Sequence, residues 1–191
     1  MAGVTIKIEG LEATMAKLDY KKYELEIQQS FDKFKDRTVT EAKLLAPVDE
    51  GHLRSAIYGK LEGLTVTIGC TVDYAAYLEF GTRRFAAAYV AGLPATWQEL
   101  AAKFKGGGGG NFEQFVKELT EWVMRKGFAA PLTASGNASK SKSAIDIQRQ
   151  AAYMIARSIM IKGIKPHPFL YPAVEKWTPV LLSDLKALQV K

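Results

Sequence analysis

Few residues in this chain have the type and spacing for catalysis or metal binding. Cys70 is the one cysteine, and with His52 or His167 as its base it would make a thiol nucleophile. It falls, however, in the alternating run Leu64, Val66, Ile68, Cys70, Val72, an apolar strand face where a thiol packs as a small hydrophobe. Asp49, Glu50 and Glu79 offer carboxylates for acid–base or metal chemistry. Asp49 and Glu50 follow Pro47 at a turn, where acidic residues act as caps and solvated groups. His52, His167 and Cys70 are separated by long intervals, without the short ligand spacing of a zinc site. The run Gly106 to Gly110 lacks the Gly-Lys-Ser/Thr ending of a phosphate loop, so it reads as a flexible linker. The residues point to a non-enzyme with no cofactor and no metal.

The elements that must position these residues follow from periodicity. Val4 to Ile8 alternates as a short strand ended by Gly10. Tyr20, Tyr23, Ile27, Phe31, Phe34, Ala42 and Leu45 then recur at helical spacing, apart from the step across Thr38, until Pro47 stops the helix. Residues 53–61 and 64–72 read as a hairpin, with Leu53, Ser55, Ile57, Gly59 and Leu61 on one face and Glu62-Gly63 as the turn. Tyr74 to Phe80 reads as a short helix ended by Gly81, burying Tyr74, Tyr77 and Leu78 on one side.

The stretch 83–144 has another character: alanine-rich, with a helix at 95–104, the glycine run, and a helix capped by Asn111 with Phe112, Phe115, Leu119, Trp122 and Val123 on its apolar face. It reads as a helical, flexible segment inserted within one α+β domain spanning 1–191. Gly106 to Gly110 and Pro131 to Ser143 are expected to be poorly ordered, because they cannot offset their ordering entropy by local burial. A helix at 145–162 presents Ile147, Ala151, Ile155 and Ile159. Pro166 to Leu170 is extended. The last helix carries Val174, Trp177, Leu181, Leu185 and Leu188, with a kink or fresh start at Thr178-Pro179.

Composition excludes further classes. With 48% apolar and 24% charged residues among 191, the chain buries a sizeable core. A lone cysteine excludes an internal disulfide framework, no secretory leader is visible, and the tract Phe85 to Ala95 is too short to span a bilayer. These features point to a soluble protein of a reducing compartment. The net charge of +6 is unevenly divided: residues 1–80 carry −3 and residues 81–191 carry +9. An acidic front and a basic rear suit either nucleic acid or contacts between copies. Arg83-Arg84-Phe85 and the cluster Lys140, Lys142, Arg149, Arg157, Lys162 and Lys165 would neutralise several phosphates. No helix-turn-helix, zinc-finger or RNA-binding signature accompanies them.

Three elements in order resemble a known family. Ala46-Pro47-Val48-Asp49-Glu50-Gly51-His52-Leu53-Arg54-Ser55 is similar to its helix-ending Ala-Pro and Gly-x-Leu-Arg element. Tyr74-Ala75-Ala76-Tyr77-Leu78-Glu79-Phe80-Gly81-Thr82 is similar to its Tyr-Ala-x-Tyr-x-Glu-x-Gly-Thr element. Pro166-His167-Pro168-Phe169-Leu170-Tyr171-Pro172-Ala173 is similar to its Pro-x-Pro-Phe-Leu-x-Pro-Ala element. Together they resemble the tail-component family of long-tailed double-stranded DNA bacteriophages, the head–tail joining or tail-completion proteins. The matching framework covers about residues 4–82 and 145–188.

The resemblance and the periodicity together imply an α+β fold, a small, mainly antiparallel sheet packed against the long helix and the C-terminal helices. The resemblance implies a structural virion protein at the head–tail (portal and neck to tail) junction, present in the host cytoplasm during assembly. Its implied partners are further copies in a hexameric ring, a portal or head-closure adaptor, and a tail terminator. Non-specific contact with genomic DNA in the channel is a further expectation, and membrane is not. The alternative is a DNA-binding accessory protein using the basic 83–165 region. Interface candidates are Arg54, Tyr74, Glu79, Arg83, Arg84, Pro168, Phe169 and Leu170. Glu79 is expected to pair with Arg54 or a neighbouring copy. The proline-stiffened arm carrying Phe169 docks either onto its own core or onto the next subunit.

Overall fold

The computed structural model describes residues 4–7, 20–104, 111–131 and 141–188, with side chains described from residue 23 onward. The glycine run and residues 132–140, both expected to be poorly ordered, lie outside the described residues, as does the end of the first strand at Ile8 and Gly10.

The fold is α+β. Helix α1 (Tyr20–Leu45) buries Ile27, Phe31, Phe34, Thr38 and Ala42, spaced by three and four residues as one helix face demands. The buried stripe therefore runs through Thr38 rather than skipping it, while Leu45 is left exposed. Strands β1 (Val4–Lys7), β2 (Ile57–Glu62) and β3 (Thr65–Cys70) form an antiparallel sheet in the order β1-β3-β2. Glu62 pairs with Thr65, so Gly63 and Leu64 make a two-residue loop. Gly63 takes a φ of 58°, the positive value that a hairpin of this length requires at its first central position.

Residues 53–56 are not strand. They belong to the short helix α2 (His52–Ala56), which starts after Gly51 reverses the chain at a φ of 85°. Leu53 and Ile57, four apart, are both buried, a spacing that a helical turn feeding a strand satisfies as well as an extended chain does. Helix α1 crosses the sheet at Gly59, where an added Cβ would lie 2.7 Å from Lys35 Cγ and from Val39 Cγ2. The last helix, α8 (Leu170–Leu188), packs on α1, and Lys176 donates to Glu41 at 2.7 Å across the contact. Pro179 lies inside α8 without ending it.

Between these come α3 (Ala75–Phe80), α4 (Arg83–Val90), α5 (Ala95–Lys103), α6 (Phe112–Arg125) and α7 (Lys142–Lys162). The stretch 83–144 divides in two. Leu93 and Trp97 join the main core, and Trp97 meets Tyr171 edge-on at 5.1 Å. Helix α6 instead pairs with α7. Asn111 caps α6 by accepting from the Glu113 N–H at 2.9 Å, and Ser141 caps α7, which places Lys142 and Ser143 in its first turn.

The buried stripe of α7 is Ala144, Gln148, Ala152 and Ala156, one position round from the isoleucines expected there. Small side chains let two helices approach closely, and Ile147 is left 42% exposed, with Met154 at 61% and Ile161 at 64%. The face of α3 is likewise reversed. Ala75, Ala76, Glu79 and Phe80 are buried, whereas Tyr74 and Tyr77 are exposed.

The crossing at Gly59 makes a test. Gly59→Ala is expected to destabilise the protein by about 1–3 kcal/mol through overpacking, measured by urea unfolding. Gly51→Ala, with open space around it, should lose only the about 1–2 kcal/mol of a left-handed alanine.

Candidate functional site

The three sequence elements converge at the start of α8. A helix leaves its first four N–H groups without intrahelical partners. Here the Glu79 carboxylate accepts from Phe169 N at 2.8 Å and Leu170 N at 2.9 Å through Oε2, and from Tyr171 N at 2.9 Å through Oε1. The fourth position is Pro172, which has no N–H to satisfy. One side chain and one proline thus complete the helix start.

Glu79 is fully buried and has no ion pair among the described residues; its expected pairing with Arg54 is not present, and Arg54 is exposed. Burial pushes the Glu79 carboxyl above its ordinary value, opposed by the three N–H donors. Burial also pushes the nearby Tyr89 phenol up, with Glu79 adding to the shift.

The segment entering α8 is clasped against the end of α3. His167 N donates to Leu78 O at 2.7 Å, and Thr82 N to Ile164 O at 3.0 Å. Ile164 N donates to Thr82 Oγ1 at 2.7 Å. Two glycines permit the approach: a Cβ on Gly81 would lie 2.9 Å from Ile164 O, and one on Gly163 only 2.3 Å from Thr82 O. The Gly-Thr pair of the second element is therefore a docking strip for the third. Phe169 and Leu170 are fully buried in their own chain's core and Pro168 is half-buried, so the arm docks at home.

Past the clasp the backbone is strained. Arg83 has a φ of 53°, a left-handed conformation that costs an arginine about 1–2 kcal/mol. Arg83 and Arg84 are exposed. Arg84 Cζ lies 4.9 Å, and Lys165 Nζ 6.0 Å, from the Phe85 ring centroid.

A second polar cluster joins the first element to α6. Trp122 Nε1 donates to Asp49 Oδ2 at 3.1 Å. Lys126 also binds Asp49, and Arg125 Nε lies 3.0 Å from Glu50 Oε1. The Lys126 ammonium holds the Asp49 carboxyl below its ordinary value. Tyr74 stands near this turn, its phenol pushed up by burial and then by the Cys70 and Asp49 charges. This cluster had no signal in the sequence beyond a tryptophan on the apolar face of a helix.

Cys70 is buried, with its thiol donating to Leu53 O at 3.9 Å, and burial pushes it up. Among the described residues no group of three potential metal ligands is gathered, and no helix is long and apolar enough to cross a membrane.

The Gly-x-Leu-Arg turn at the start of α2, the buried glutamate and Gly81 all lie within one stretch of the chain that matches a known family. Residues 10–81 match the family described as "Bacteriophage HK97-gp10, putative tail-component". The match ends at Gly81, on the docking strip itself, and the closing Pro-x-Pro-Phe-Leu element is bound to it through Glu79. That family is described as a tail component, and the match covers 72 of the chain's 191 residues. No curated protein and no solved structure matches the chain.

Glu79→Ala should destabilise the protein by about 3–5 kcal/mol, since each orphaned buried donor costs about 1–3 kcal/mol. Glu79→Gln, which keeps an acceptor but opposes one N–H with its own, should lose less. A carboxyl raised above its unfolded value of 4.5 adds stability as pH falls through its folded value, in full below the unfolded one. The Gln variant lacks that contribution. Its deficit relative to wild type, read from urea melts, should widen between neutral pH and about pH 4.5.

Proposed function

We propose that this chain is a non-enzymatic virion protein at the junction between the head's portal channel and the tail, required for tail completion and for joining head to tail. The observation that carries this reading is the match over residues 10–81, together with the Glu79 clasp that ties the family-like closing element to it. The residues of the three elements do structural work: Gly51 reverses the chain, Glu79 caps a helix, and Gly81 and Gly163 permit close backbone approach.

The protein acts as a ring of identical copies, hexameric by the resemblance to proteins that sit beside sixfold tail tubes, between a portal or head-closure adaptor and a tail terminator. A ring needs a heterologous contact, with unlike surfaces meeting and a rotation that closes. Phe169 is committed to its own core, so it is not the anchor. What supports a contact elsewhere is α7, whose exposed Ile147, Met154 and Ile161 recur every seven residues along one stripe. An apolar row of this kind on a helix surface marks a protein contact.

The test is genetic and structural together. A phage deleted for this gene should release heads and tails that remain unjoined or tails of aberrant length, seen by negative-stain microscopy. Wild-type protein supplied in trans should restore joined particles. Protein carrying Met154→Glu and Ile161→Glu should fold, as judged by circular dichroism, and fail to restore them. Normal joined particles from the deletion phage would overturn the junctional role, and full rescue by the double variant would overturn the α7 contact.

A further inference from the structure

The carboxylates of residues 20–80 are largely committed within the chain. Of ten, six are ion-paired: Asp32 and Asp36 with Lys35, Glu41 with Lys176, Asp49 and Glu50 with Arg125 and Lys126, and Glu62 with Lys60. Glu79 is buried. Within residues 20–80, the acidic charge that the sequence suggests is thus mostly neutralised at home. The cations at the far end are not. Arg83, Arg84, Lys162 and Lys165 have no acidic partner among the described residues.

The clasp gathers these four cations. Thr82 is bonded to Ile164 by two hydrogen bonds, which sets Arg83 and Arg84 at the start of α4 beside Lys162 at the end of α7 and Lys165 just past it. Arg84 and Lys165 flank the same Phe85 ring. The one acid in α4 and residues 142–165 is Asp146, near the opposite end of α7 and facing Arg149. Local roles explain part of the set: Lys162 complements a helix C-terminus, and Arg84 and Lys165 lie over an aromatic ring. They do not explain Arg83. It sits exposed on a left-handed backbone with no ion pair or ring contact among the described residues, a strain that the fold maintains next to three other free cations.

We propose that Arg83, Arg84, Lys162 and Lys165 form a contact site for the phosphate backbone of double-stranded DNA. The backbone presents a dense row of charge, which a group of flexible cations meets without base readout. A second copy of this chain is the poorer partner, because most of the carboxylates of residues 20–80 are already paired or buried. The contact is independent of sequence and sensitive to salt. It is also independent of the junctional role, which is read by particle joining rather than by duplex binding.

The experiment titrates the full chain against a fluorescein-labelled duplex of arbitrary sequence, by anisotropy, across a salt series. In the variant R83Q/R84Q/K162Q/K165Q the slope of log affinity against log salt should shrink by about 3–4, close to one for each phosphate that the variant no longer neutralises. A control, K103Q/K117Q/K142Q/K186Q, removes the same charge elsewhere and should shift the slope far less. Equal effects of the two variants, or an unchanged slope in the first, would overturn the site. So would a wild-type chain that ignores the duplex but self-associates through these residues. Arg83→Gly keeps the test open should the fourfold variant unfold. It relieves the strain, so a purely structural arginine predicts an unchanged or higher Tm with unchanged duplex binding. The site instead predicts that binding weakens while Tm does not fall.

Discussion

Everything downstream of residue 165 depends on one carboxylate. Helix α8 cannot begin where it does unless its first donors are satisfied, and they are buried away from water. Glu79, ninety residues earlier in the chain, supplies both oxygens. A buried carboxylate with no counter-ion is expensive, and here three charge-assisted hydrogen bonds and the positive end of the helix offset that expense. The result is directional in a way that hydrophobic burial is not. Phe169 and Leu170 enter the core at fixed positions, and α8 is laid along α1 in one register.

The sequence makes some of this legible and hides the rest for identifiable reasons. Helix α1 and strand β3 show plainly, because a 3.6-residue period over Ile27 to Ala42 and a two-residue period over Val66 to Cys70 each fit one structure. Leu53 and Ile57 fit both a strand and a turn of helix, and the left-handed Gly51 chooses the helix. On α7 hydrophobicity points to the isoleucines, but close approach to α6 selects the alanines one position round. On α3 the tyrosines look like the buried side, yet it is the short side chains of Ala75 and Ala76 that pack in the main core. Glu79 is visible as a motif residue, but its partners are backbone N–H groups. Those are carried by nearly every residue and so leave no mark in sequence, and opposite-charge reasoning leads to Arg54 instead.

Charge shows a similar gap between chain and molecule. A tally by halves treats every ionised side chain as free. Folding pairs Asp49 and Glu50 with Arg125 and Lys126, and Glu41 with Lys176, joining the acidic half to the basic half inside one chain. What remains for the surroundings is the charge that this pairing leaves over, and four of its cations lie where two glycines bring the start of α4 against the end of α7. The asymmetry relevant to recognition is therefore smaller and more local than the sequence suggests.

Two kinds of attachment hold the molecule together, and they respond differently to conditions. The sheet, α1, α5 and α8 share one apolar core. The α6–α7 pair buries Val123, Ala144, Ala152 and Ala156, none of which belongs to that core. Its link to the first sequence element is made by Trp122, Arg125 and Lys126 around the Asp49 and Glu50 carboxylates. Exposed ion pairs are weak and screened by salt, whereas apolar burial is not. Local opening free energies follow such differences in burial, and the residues this pair buries lie outside the main core. The pair also carries the uncovered row Ile147, Met154 and Ile161. A partner seated on that row would bind the closed α6–α7 pair and not an open one, stabilising the pair by mass action. Such a contact would reinforce a segment that lies outside the main core, and would leave the core clasped by Glu79 unchanged.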